Sequence, residues 1–259
     1  MKALAFCCAL ITVAGALLCQ EPNPPADSTL AGITARGRLL AQYDVAAWHG
    51  GDALGALNPA GNEISCAVAR PMSDGRWEVL YGRLTAAKDT FYVRYHAMQT
   101  NADSAFTAER YPAPKVYTGV EREMAAAVQT AVADFGQPTR PYNSYVIPAG
   151  PGGFWVYLLP AQTDPRTFPH GGDVRDRVTD GGTRIVERVR FYQAVINFPT
   201  TAPPGTVAGT HTSLDSLPSE TDVFLVLRRP VRLPENVVTQ HFEYEVRLDG
   251  TISWRRTGK

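Results

Sequence analysis

The chain has 259 residues, 44% of them hydrophobic and 19% charged, which is enough apolar content for one large core or two smaller ones and too much for a disordered polymer. Lys+Arg and Asp+Glu balance at 25 each, so no excess positive charge draws the molecule to nucleic acid or to an anionic membrane, and no nucleic-acid partner is expected. The 22 glycines and 20 prolines fall between short apolar runs, which excludes a helical bundle and predicts a strand-rich protein with many turns.

The first stretch, "MKALAFCCALITVAGALLCQEPNPPADS", carries Lys2, an uncharged apolar run from Ala3 to Leu18 and then a polar, proline-rich break. This is the layout of a secretory signal peptide, residues 1–20. The run falls short of the roughly 20 apolar residues that a spanning helix needs, so export without a membrane span in the mature chain is expected, in the periplasm or outside the cell. Small residues at Ala14-Gly15-Ala16 offer one cleavage point. A lipid anchor on Cys19 is the other reading, although Leu18 stands where a lipoprotein box wants a small residue. Cys7, Cys8 and Cys19 belong to this segment, which leaves Cys66 alone afterwards and no internal disulfide to form. Cys66 lies in the alternating "EISCAVA" and is expected to be a buried small residue.

From 27 to 110 the sequence predicts a helix-plus-meander unit. Leu30, Ile33, Leu40, Trp48, Leu54 and Leu57 recur at helical spacings, with Asp27 or Ser28 as N-cap, in one long helix or in two broken near Gly50-Gly51. His49 beside "GGD" is either functional or a helix-end histidine. Alternation about "SDG" and "AAKD" then gives a three-stranded antiparallel meander, with Cys66, Val68, Trp77, Val79, Tyr81, Phe91, Val93 and Tyr95 toward one layer. The segment "TNADSAFTAERYPAPKVYTG" breaks the pattern and reads as the internal boundary.

A second unit runs from 115 to 259. It starts with a helix in "TGVEREMAAAVQTAVADFG", with Thr118 and Glu121 as a capping box, Val128, Val132 and Phe135 as the apolar stripe and Gly136 at the C-cap. "NSYVIPAGPGGFWVYLLPAQ" reads as a hairpin, whose Trp155 would be free to stack on a ligand if its face were open. "TDPRTFPHGGDVRDRVTDGGT" reads as a loop, "TRIVERVRFYQAVINF" as one long strand and "GTVAGTH" as a short one. "QHFEYEVRLDGTISWRR" is a final hairpin across Asp249-Gly250. The expected class is α+β: a helix plus antiparallel meander, then a mixed α/β sheet.

The chemistry-bearing candidates cluster late. In "AGTHTSLDSLPSETDVF", His211 ends a strand, and Ser219 and Asp222 stand where a capping box starts a helix, which alone accounts for both. His170 and Asp173 in "FPHGGDVR" are spaced so that a loop could bring them over His211, with Gly171 and Gly172 allowing close backbone approach. There is no G-x-S-x-G elbow and no phosphate-loop lysine, so serine-hydrolase and nucleotide-binding readings fall away.

"HTSLDSLPSETDV" also resembles the second half of the motif of the JAMM, or MPN-type, zinc metallopeptidases: His211, Pro218, Ser219 and Asp222 fall on that family's second histidine, proline, serine and aspartate. The resemblance spans about residues 140 to 256 and implies a JAMM-like α/β fold with His211 and Asp222 as metal ligands. Gly209 stands where the family has its first histidine, and Asn143 and Ser144 stand near its glutamate. What the resemblance implies is therefore the fold with an incomplete peptidase site. The expectation is an exported, non-catalytic binding or structural protein without cofactor, holding a protein or small-molecule ligand of the envelope near His170, Asp173 and His211. The alternative is a zinc-dependent peptidase or amidase with a reduced site of His211 and Asp222, helped by the "HGGD" segment.

Overall fold

The computed structural model describes residues 22–100, 105–150 and 152–258. The leader-like segment, with Cys7, Cys8 and Cys19, lies outside the described residues. No helix among the described residues is long and apolar enough to cross a membrane. The architecture is α+β, with three α-helices among the described residues packed on several sheets.

Helix α1 (Asp27–Gly55) is continuous. Gly50 does not break it, because this is where the helix touches the sheet: a Cβ there would lie 2.8 Å from Val79 and 2.9 Å from the Tyr81 hydroxyl. Its N-cap is Ala26, with no side-chain cap. Asp27 sits instead in the first turn, where its charge complements the helix dipole. His49 stacks between Trp48 and Phe106 within the helix.

The meander has four strands rather than three: β1 (Cys66–Pro71), β2 (Trp77–Leu84), β3 (Phe91–Gln99) and β4 (Phe106–Tyr117), in that order and antiparallel. β4 occupies the segment that reads as a boundary. Its Pro112 and Pro114 are tolerated because β4 is an edge strand, where a missing N–H breaks no ladder on the open side. The register also revises the facing of β1. Val68 pairs with Leu80 and Cys66 with Gly82, so both share a face with Leu80 and not with Val79 and Tyr81. Cys66 Sγ lies 3.8 Å from the Ala125 carbonyl of the second helix, and burial there pushes its thiol up to about 12.

That second helix, α2 (Val120–Phe135), is capped by Gly119, without the Thr118–Glu121 box; Glu121 pairs with Arg70 instead. Its buried face is Met124 to Val128 and Ala131, while Val132 is exposed. Gly136 ends it at φ 82°, a conformation glycine takes without strain.

Strands β5 (Tyr142–Pro148) and β6 (Phe154–Pro160) form the expected hairpin. The presumed loop after it is largely strand: β7 (Thr167–His170), a turn at Gly171-Gly172, then β8 (Asp173–Val178). The presumed long strand is two, β9 (Ile185–Phe191) and β10 (Ile196–Pro199), because the chain turns at Tyr192 and β10 pairs with β7. The main sheet here runs β5-β6-β8-β9. Trp155 is not an open platform, since the Arg175 and Arg177 guanidinium carbons lie 4.5 and 5.1 Å from its ring centre.

The last sheet, β11-β12-β13-β14, is mixed. β11 (Gly209–Thr212) runs through α3 (Glu220–Arg228) to a parallel partner, β12 (Glu235–Val238), and β13 (Phe242–Val246) with β14 (Ile252–Arg256) makes the closing hairpin. The larger core crosses the 110/115 boundary, joining Leu40 and Tyr43 of α1 with Val79, Ala125, Val156 and Phe224. A smaller core sets Leu30 and Ile33 against Val223, Val226, Val237 and Tyr244. α1 therefore ties both halves together and presses α3 onto the last sheet.

Candidate metal centre

Three elements deliver the centre of one buried cluster. His211 comes from β11, Asp222 from the first turn of α3 and His170 from the end of β7; their relative exposures are 6%, 0% and 3%. One donor atom from each lies within 4.8 Å of the others. His170 Nε2 is 2.9 Å and His211 Nε2 is 3.2 Å from Asp222 Oδ1.

Asp222 is aimed by local sequence. Ser219 caps α3, its hydroxyl accepting from the Asp222 N–H at 3.3 Å, while Asp222 Oδ2 accepts from the Ser219 N–H at 2.7 Å and its hydroxyl at 3.0 Å. The capping box thus holds one carboxylate oxygen and leaves Oδ1 for the histidines. Burial alone would keep Asp222 protonated, but the hydrogen bonds from His170 and His211 outweigh it and hold the carboxyl far below the usual range.

His211 is also held from behind, and His170 faces a carboxylate there. The far nitrogen of His211, Nδ1, lies 2.9 Å from Glu235 Oε1, and Glu235 Oε2 lies 2.6 Å from Arg229. Arg229 in turn donates to the carbonyls of Leu233 and Pro234. The far nitrogen of His170 faces Asp173 Oδ2 at 3.8 Å. Carboxylates behind histidines fix the ring and its tautomer, as they do at protein metal sites. Burial opposes the charge on His211, yet its hydrogen bonds to Asp222 and Glu235 prevail and raise its pKa to about 9. Burial pushes the Asp173 carboxyl up to about 6.

Tyr192 completes the cluster. Its hydroxyl is 2.7 and 2.8 Å from the two Asp222 oxygens and 3.0 Å from His211 Nε2. Its backbone sits at φ 58°, a left-handed conformation that costs a bulky residue about 1–3 kcal/mol and is kept only where the surroundings enforce it. Phe198 of β10 closes the same side, its ring centre 6.2 Å from that of His170 and 6.3 Å from that of His211.

A cleft of about 590 Å³ reaches the cluster from the side of His170 and Asp173, walled by Trp48, Asn143, Ser144 and Gln162. Asp173 Oδ2 has no hydrogen-bond partner among the described residues.

The structure thus brings together the five residues singled out in the sequence: His211 and Asp222 at the centre, His170 beside them, Ser219 as the cap and Asp173 behind His170. Tyr192, Glu235, Arg229 and Phe198 carry no local signal: Glu235 and Phe198 reach the cluster through strand pairing, Tyr192 through the turn after β9 and Arg229 from the end of α3. The Gly209 position is also explained. Gly209 pairs with Glu235 across the parallel strands, and a Cβ on it would lie 2.0 Å from Glu235 Oε2 and 2.9 Å from Arg229. The space beside position 209 is filled by the Glu235–Arg229 pair. Compared with known proteins, the chain matches no family model, no curated protein and no solved structure.

Proposed function

We propose that this chain is a metal-binding protein of the cell envelope in which His170, His211 and Asp222 hold one divalent transition-metal ion, zinc being the ion that two imidazoles and a carboxylate suit best. The observation that carries this reading is the convergence of three buried donor atoms within 4.8 Å, with a carboxylate behind each histidine. The JAMM-like reading of residues 140–256 fits the order β11, Ser219-x-x-Asp222, α3 and closing hairpin, with His170 taking the part of the ligand lacking at Gly209.

A metal-held binding protein is the reading that needs least added. Asn143 and Ser144 supply no carboxylate base where a peptidase of that kind needs one. Hydrolysis of an amide or ester is the second reading, favoured by the cleft that ends on His170 and Asp173. A zinc ion there supplies a Lewis acid and an activated water, and Asp173 is the carboxylate placed to handle a proton.

The competing account of the cluster is a proton-held network. His211 between two carboxylates keeps its proton to about pH 9, and a metal has to displace that proton from Nε2. Metal content by mass spectrometry, beside Asp222→Ala, separates the two. Near-stoichiometric metal that disappears in the variant supports the centre. Metal-free wild-type protein after incubation with zinc overturns it and leaves a non-catalytic protein whose ligand sits in the cleft.

A further inference from the structure

The Tyr192 hydroxyl stands where the three donor side chains converge, rather than at their rim. It touches both oxygens of Asp222 and Nε2 of His211 at 2.7 to 3.0 Å, and its ring centre is 5.1 and 5.3 Å from those of His170 and His211. A tetrahedral ion with bonds of about 2.0–2.2 Å separates its donor atoms by about 3.3–3.6 Å. The observed separations among the Tyr192 oxygen, His211 Nε2, His170 Nε2 and Asp222 Oδ1, from 2.7 to 3.2 Å where they touch, fall short of that by a few tenths of an ångström. Opening these contacts by that amount, with the donor atoms of His170, His211 and Asp222 all within 4.8 Å of one another, leaves one ion room among four donors.

A plain packing role accounts poorly for this placement. The Tyr192 hydroxyl donates its one hydrogen to the Asp222 carboxylate and accepts from His211 Nε2–H, so it is held from both sides beside the donor atoms that a metal would take. The chain also adopts a left-handed conformation at Tyr192 to bring it in, interrupting what would otherwise be one long strand. Phe198 then covers the ring side of the cluster.

We propose that Tyr192 is the fourth protein ligand of the centre, binding the metal through its phenolate oxygen, so that the resting site is closed and four-coordinate. This rests on the metal-centre reading and deepens it. On binding, the phenolic proton and the Nε2 protons of His170 and His211 leave to solvent, and the hydrogen bonds of Tyr192, His170 and His211 to Asp222 give way to bonds to the metal. A closed resting site places any reaction after displacement of Tyr192 by an incoming ligand.

Zinc ion alone is the probe, because it is colourless and leaves a tyrosinate signal unobscured. Ultraviolet difference spectra during a zinc titration of the full wild-type protein are expected to show one tyrosinate per bound zinc. Tyr192→Phe is expected to bind zinc at least tenfold more weakly, in competition with a chromophoric chelator, and to give no tyrosinate signal. Circular dichroism and melting report whether that variant is folded; if it is not, the wild-type spectrum decides alone. Zinc bound by the wild type without a tyrosinate signal overturns the proposal and leaves the three-residue centre intact. Failure to bind zinc at all overturns both.

Discussion

Replacing Glu235 by alanine tests the frame behind His211 directly. Glu235 is fully buried and joins two charged or polar partners, His211 Nδ1 at 2.9 Å and Arg229 at 2.6 Å. Arg229 is itself only 5% exposed. Removing the carboxylate leaves a buried guanidinium bonded only to the carbonyls of Leu233 and Pro234, and breaking a buried pair in this one-sided way costs about 3–5 kcal/mol. For a protein of this size each kcal/mol lowers Tm by about 2–4 °C, so Glu235→Ala should melt roughly 6–20 °C below wild type. Glu235→Gln keeps the volume and an acceptor for the Nδ1–H but loses the charge facing Arg229, and should fall between the two. The apolar pair Arg229→Met with Glu235→Leu should lose less than Glu235→Ala alone, because no charge is then left unpaired. The assay is thermal and denaturant unfolding of metal-free protein, followed by zinc competition, where loss of the carboxylate behind a ligating histidine should weaken binding about 10–100-fold. Glu235→Ala melting within about 2 °C of wild type would refute the argument that this pair is a buried strut. A large stability loss with unchanged zinc affinity would refute its role in orienting His211.

Three further outcomes follow from other parts of the fold. Ser219→Ala removes the cap and one of the donors to Asp222 Oδ2, and should cost about 0.5–2 kcal/mol in denaturant unfolding together with a measurable loss of zinc affinity. Gly37→Ala would place its Cβ 2.4 Å from Val223 Cβ and 2.7 Å from the Glu220 carbonyl; overpacking of about 1–3 kcal/mol should exceed the gain in helix propensity of about 1 kcal/mol, so the variant should melt lower. Hydrogen bonds from Tyr95 and Arg110 hold the Glu63 carboxyl down to about 2. A carboxyl lowered by folding stabilises above its ordinary value near 4.5 and loses that contribution as pH falls toward 2. The stability difference between wild type and Glu63→Gln should therefore be present at neutral pH and close over that interval, and a difference that stays constant from pH 7 to pH 2 would contradict the assignment.

What was legible in the sequence is what local rules write. The α3 cap, the closing Asp249-Gly250 hairpin, the β5–β6 hairpin and the burial of Cys66 follow from spacing and turn chemistry within a few residues, and all stand in the structure. The misreadings lie where long-range pairing overrides local cues. β4 keeps its two prolines because it is an edge, which the sequence does not announce. The glycine- and arginine-rich stretch around His170 forms strands because β7 finds β10 and β8 finds β6 and β9. At the site, His211, Ser219 and Asp222 were visible as a motif, and His170 with Asp173 as a suggestive loop. Glu235 and Tyr192 were not, because a lone glutamate in "PENVV" and a tyrosine inside an apparent strand acquire meaning only from the parallel β11–β12 register and the left-handed turn after β9.

Gly209 provides the sharpest check on how the centre is put together. If the cluster were a peptidase site damaged by loss of one histidine, Gly209→His would repair it and tighten metal binding. The structure argues the opposite. The Cβ of any residue at 209 meets Glu235 Oε2 at 2.0 Å and Arg229 at 2.9 Å, and neither can move aside without breaking the buried pair that holds His211. Gly209→His should therefore destabilise by an amount on the scale of losing that pair, about 3–5 kcal/mol, and weaken zinc binding as His211 loses its orientation. Coupling Gly209→His with Glu235→Gly removes the clash and should recover part of the stability, so that the two changes together cost less than the sum of each alone. Gly209→His that unfolds like wild type and binds zinc more tightly would mean that the space is open and that the Glu235–Arg229 pair does not close it.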